Sequence, residues 1–261
     1  MLSVIMGQPQ KVDDVLKKIQ KNSISIDKKK DNTLDKKFAQ AKSMERSGLY
    51  EEAFFLFKEI NREKPGVNKY FQPFKNYLKQ TESWDTLLVY TRDYAIARNQ
   101  DFQSQLEFLD IYIWMDAEPK WQETAFKLTK TLTTNDNSMK SIIQRLVNNG
   151  KYDFAYERLK EYRNETGFKD FYSMEMGTFF GMRMAYDKAV QEYLLFLETH
   201  PQQLQTISDR IMVYPDLPDI MNVITSILLK SPLQTAQFIL VDLHFKQKAY
   251  DEGYEILKSN G

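Results

Sequence analysis

Cysteine is missing from all 261 residues. Its absence removes disulfides, thiolate metal sites and cysteine nucleophiles together. Histidine is scarce: His200 and His244 each lack a second histidine or a carboxylate at ligand spacing, which argues against a metal centre. No apolar run approaches the roughly 18 residues that a membrane span needs. Charge of one sign is not in excess, since 36 Lys+Arg face 36 Asp+Glu, and a general nucleic-acid binder would carry a basic surplus. The phosphate-binding patterns G-x-G-x-x-G and G-x-x-x-x-G-K-[ST] are absent, as are H-E-x-x-H and G-x-S-x-G. The adjacent carboxylates Asp13-Asp14 and Glu51-Glu52 point about 100° apart on a helix and cannot converge on a substrate. What is present is an apolar share of 42% and an aromatic share of 13%, which places the chain among folded proteins. The sequence thus predicts no catalytic residue, no cofactor and no metal.

The first 33 residues differ from the rest. Residues 1–7 (MLSVIMG) form an apolar stub with no preceding Lys or Arg, which is not a complete secretory signal. Read as written, the sequence predicts a cytoplasmic protein. If the stub is the tail of a truncated signal peptide, the protein is periplasmic or secreted. Val12, Val15, Leu16 and Ile19 are spaced for a short amphipathic helix over residues 11–20, and residues 21–33 read as a charged linker.

From residue 34 onward the chain repeats itself. Gly48, Tyr50 and Ala53 recur as Gly150, Tyr152 and Ala155, a shift of 102 residues, or three times 34. Trp84 follows Tyr50 by 34, Tyr186 and Ala189 follow Tyr152 and Ala155 by 34, and Pro65 and Pro201 lie four such periods apart. Apolar residues within each period fall at helical spacing. Pro65 and Pro201 mark helix ends, and Pro119, Pro218 and Pro232 suit first turns, with Asp116 and Ser231 as caps before two of them. Asn-Gly and Asp-Gly hairpin turns between alternating strands do not occur. The pattern predicts about fifteen helices and no sheet.

This grid resembles the tetratricopeptide repeat (TPR) family. Its helix–turn–helix unit carries small or apolar residues at positions 4, 7, 8 and 11, an aromatic at 17, Ala at 20, a bulky residue at 24 and Pro at 32. Residues 34–67 match with Ala41, Met44, Gly48, Tyr50, Ala53, Phe57 and Pro65. Residues 170–203 match with Met176, Gly177, Tyr186, Ala189, Tyr193 and Pro201. The other units fall near 68–101, 102–135, 136–169, 204–233 and 234–261, and in the third Trp121 sits three residues late, which predicts a longer turn. The resemblance implies an all-α, right-handed α-solenoid of about seven helix–turn–helix repeats.

It also implies a concave groove lined by positions 2, 5, 9, 12 and 13 of each first helix. Phe171, Met174, Met182, Met212, Phe238 and Phe245 make its C-terminal part apolar, with Leu106, Ile113 and Trp114 between. Lys42, Arg46 and Lys79 make its N-terminal part basic. The Lys and Asn that grip a partner's terminal carboxylate in some family members are not at the matching places here. The function implied is a non-catalytic protein-interaction scaffold that binds a peptide or helix of a partner protein. The alternative is a sensor or adaptor arm of a larger TPR protein, with its effector region beyond residue 261.

Overall fold

The computed structural model describes Lys17, residues 31–132 and residues 135–260. Among these it contains fourteen helices and no strand. Residues 1–7 and nearly all of the short helix placed at residues 11–20 lie outside the described residues, although Lys17 is helical. Of the expected linker, residues 31–33 are already helical.

The helices are α1 (residues 31–46), α2 (Tyr50–Glu63), α3 (Asn68–Gln80), α4 (Trp84–Ala97), α5 (Phe102–Trp114), α6 (Glu118–Lys127) and α7 (Asp136–Asn148). They continue with α8 (Tyr152–Thr166), α9 (Ser173–Met182), α10 (Tyr186–Thr199), α11 (Leu204–Met212), α12 (Pro218–Lys230), α13 (Gln234–Lys246) and α14 (Tyr250–Asn260). A π-helical turn, Leu128–Leu132, extends α6, and a short 3-10 turn, Pro201–Gln203, precedes α11. No helix among the described residues is long and apolar enough to cross a membrane.

Successive helices are joined by a turn that recurs in one conformation. Three residues separate α1 from α2, α3 from α4, α5 from α6, α7 from α8, α9 from α10 and α13 from α14. The middle residue of each turn is left-handed, with φ of 79° at Gly48, 51° at Glu82, 52° at Asp116, 77° at Gly150, 61° at Met184 and 60° at Lys248. The next residue's N–H returns to the carbonyl five residues back, as in Leu49 to Met44 (2.9 Å), Ser83 to Leu78 (2.8 Å) and Ala185 to Phe180 (3.0 Å). This bond satisfies a carbonyl that the helix end would otherwise leave open. The α5–α6 turn is therefore of ordinary length, contrary to expectation. Trp121 lies one turn inside α6, where it is buried. The connection between α11 and α12 is different. It has five residues, and Pro215 within it cannot take a positive φ.

Several expected caps are corrected. Asp116 takes the left-handed position instead of capping α6, whose N-cap is Ala117. Ser231 ends α12, with its Oγ accepting from the Leu233 N–H (3.3 Å), and Pro232 lies in the connection before α13. Side-chain caps form at Asp101, which accepts from the Ser104 N–H (2.8 Å), and at Asn135, which accepts from the Ser138 N–H (3.0 Å).

The chain divides into two compact units, one ending at Gly150 and the other beginning at Lys151. In the first, successive helices pack side by side around Phe57, Phe71, Phe74, Leu78, Leu87 and Tyr94. Phe71 stacks on Tyr94 with ring centroids 4.1 Å apart. Buried Asn61 ties α2 to α3 by donating to the Phe57 and Tyr70 carbonyls at 2.8 and 3.1 Å. In the second unit, α9 lies against α10 around Met176, Phe180, Ala189 and Tyr193. Gly177 is required there, because a Cβ would stand 2.6 Å from the Tyr193 ring.

The turn geometry makes a differential prediction. A Cβ at Gly48 would touch nothing within 4 Å, so only its left-handed backbone penalises Gly48→Ala. Denaturant unfolding should show a loss of about 1 kcal/mol. Glu82→Ala, at a left-handed position that already carries a Cβ, should stay within about 0.5 kcal/mol of the parent. Equal effects at the two positions would contradict the shared turn.

Candidate functional site

The expected groove residues divide by environment. Phe171 is a correction: it is only 8% exposed, and its ring packs on Tyr162 with centroids 4.9 Å apart, so it belongs to the interior. Leu106 and Ile113 are likewise buried. Met174 and Met212 are half-buried. Met182 is 73% exposed, Phe238 37% and Phe245 42%. In the first unit, Lys42 is held by Glu45 one turn away, and Arg46 is exposed near the end of α1. Lys79 is exposed, with its ammonium 3.9 Å from the centre of the Trp114 ring.

Beside Lys79 runs a buried charge network joining α3, α5 and α7. Lys75 Nζ meets Glu107 Oε2 at 2.5 Å and Asp110 Oδ2 at 3.9 Å. Arg145 pairs with Asp110 and stands 3.6 Å from Glu107. Gln72 and Gln103 donate to Glu107 at 3.2 and 3.3 Å, and Asn149 donates to Asp110 at 3.3 Å while accepting from Trp114 Nε1 at 2.8 Å. Burial alone would raise the Glu107 carboxyl, but Lys75 and then Arg145 outweigh it and hold the group below its usual 4.5. Burial draws the Lys75 ammonium below its usual 10.5 against the opposing pull of Glu107.

The second unit has its own buried pair. The Arg163 guanidinium forks onto both oxygens of Glu192 at 2.9 and 2.6 Å, and its Nε donates to the Phe171 carbonyl at 2.9 Å. Tyr156 adds a hydroxyl donor to Glu192 at 2.9 Å. These groups satisfy one another.

A different arrangement surrounds Met182, the one expected groove residue that lines it. A cleft of about 320 Å³ is walled by α9, α10, α11 and the α11–α12 connection, and includes Thr178, Met182, Tyr193, Arg210, Val213 and Tyr214. Arg210 Nη1 donates to Thr178 Oγ1 at 2.6 Å and forms no ion pair among the described residues. Tyr214 is only 7% exposed, and a Cβ on Gly181 would stand 2.6 Å from its hydroxyl. The nearby Tyr193 hydroxyl is aligned instead on Thr178 Oγ1 (3.4 Å), so no aligned hydrogen bond forms to the Tyr214 oxygen. Burial, then Tyr193 and Tyr186, push the Tyr214 hydroxyl well up, so it stays protonated and able to donate.

Sequence reasoning missed both the charge network and Arg210. A readable signal existed for the first: Lys75, Asp110 and Arg145 are 35 residues apart in succession and alternate in sign. Arg210 had none, because its place beside Thr178 depends on the shortened sixth unit.

The network sets a pH dependence. The folded-state pKa of Glu107 lies below its unfolded value, so its contribution is present above the unfolded pKa and is lost as pH falls through the folded one. The melting temperature should fall from about pH 5 to about pH 3, and Glu107→Gln, starting from a lower melting temperature, should flatten that slope. A slope unchanged by Glu107→Gln would show that other carboxyls carry it.

No family model matches the chain, and comparison with characterised proteins finds no match.

Proposed function

We propose that the chain is a non-catalytic protein-interaction scaffold: a right-handed α-solenoid of the TPR type that binds a peptide or helix of a partner protein along the first helices of its pairs. The observation that carries this reading is the exposure of Phe238 and Phe245 on α13, whose other face supplies the buried Ile239, Leu240 and Leu243. Large apolar side chains left more than a third exposed on a helix whose core contacts are already made are more often a contact surface than an accident. Half-buried Met212 and Met174 add adaptable apolar surface on α11 and α9.

The polar first unit supports the same division of labour. Its inner charges are spent on one another, as in Lys75 with Glu107 and Arg145 with Asp110. Arg46 and Lys79 remain exposed to bias the approach of an acidic partner by long-range attraction.

The test is the paired change Phe238→Lys with Phe245→Lys in the full chain. Circular dichroism and melting should match the parent, and recovery of the cross-linked partner, identified by mass spectrometry, should fall about tenfold or more, the loss expected of central apolar anchors. An unchanged melt with undiminished capture of the same partner would overturn the reading.

A further inference from the structure

The cleft around Arg210 has an unusual charge inventory. Arg210 is the one charged residue among those lining it; the others are aromatic, apolar or hydroxyl-bearing. Its fork has only the Thr178 hydroxyl at one nitrogen. A guanidinium whose fork is only partly engaged matches a planar carboxylate, which offers two oxygens and about four acceptor positions. Met182, Val213 and Tyr186 supply apolar walls on the same cleft, more than a bare inorganic anion would use.

A second cleft, of about 280 Å³, adjoins the first through the shared Tyr186. Met184, Ile220 and Val223 make it apolar, and Asp187 and Asp219 make it acidic. Those carboxylates repel an anion and direct it to the Arg210 end. The apolar surface continues past Tyr186, so a segment bound at Arg210 can extend over both clefts.

We propose that the Arg210 cleft is a binding site for an acidic side chain within a partner segment, with an adjacent apolar residue of that segment on Met182, Tyr186 and Val213. The carboxylate takes the Arg210 fork. This deepens the scaffold reading and rests on it, but it uses residues distinct from Phe238 and Phe245.

The probes are two blocked peptides, acetyl-Leu-Glu-Leu-Leu-amide and its Gln counterpart, titrated by NMR into the full chain, with inorganic phosphate as competitor. The Glu peptide should bind about tenfold more tightly, the ratio expected for one charge-assisted pair. Arg210→Gln should bring the ratio to about one, and Arg210→Lys should keep a part of it. Melting of each variant separates lost folding from lost recognition. Equal binding of the two peptides, a preference that survives Arg210→Gln, or displacement of the Glu peptide by phosphate at comparable concentration would each overturn the proposal. If the preference is absent while Phe238→Lys with Phe245→Lys still abolishes partner capture, the acidic subsite falls and the scaffold reading stands.

Discussion

Polar side chains in this protein meet partners 34 to 36 residues further along the chain: Asp35 with Lys69 and Tyr70, Gln72 with Glu107, Asp110 with Arg145, Trp114 with Asn149, Tyr156 with Glu192, and Ser208 with Asp242. Each contact joins a helix to the helix that holds the same place in the next pair. A stack of helical pairs buries its core only between neighbours, so its order depends on what fixes one pair against the next. Apolar packing does this weakly, because one aliphatic contact replaces another at little difference. A buried charge does it sharply. Displacing α5 by one helical turn would leave Glu107 without Lys75 in a place where water cannot replace it, and an unpaired buried charge is strongly destabilising.

The same constraint explains the turns. With helices held in register, the helix before each turn must end at a set height, and the left-handed residue at Gly48, Glu82, Asp116, Gly150, Met184 and Lys248 ends it there. Only two of these are glycine. Packing therefore imposes the conformation on side chains that resist it, at about 1–2 kcal/mol each. Where Pro215 forbids that conformation, the connection lengthens to five residues, and the cleft containing Arg210 forms beside it.

The helices were legible because the code for them is local. The Gly–Tyr–Ala phase and apolar spacing give all-helical pairs, and the structure has helices throughout those segments. The turn at Asp116 is shorter than the position of Trp121 implies, because an aromatic one turn inside a helix packs as well as one at its start. Phe171 was placed in a groove by its position number. In the structure Arg163 binds the Phe171 carbonyl and fixes that segment against α8 and α10, which turns the ring inward. Neither Arg163 with Glu192 nor Lys75 with Glu107 could be paired by periodicity alone. A polar residue at a core-adjacent position looks solvated until its partner, about 30 residues away, is known.

Register held by buried charge is best tested by a double-mutant cycle on Lys75 and Glu107, with unfolding free energies for Lys75→Met, Glu107→Leu and the two together. Each single change leaves a buried charge without its nearest partner and should cost about 3 kcal/mol, and the double change should recover about 2 kcal/mol of the summed loss. Strictly additive losses would contradict the account, since the two groups would then be stabilising the fold independently and could not hold α3 and α5 in register.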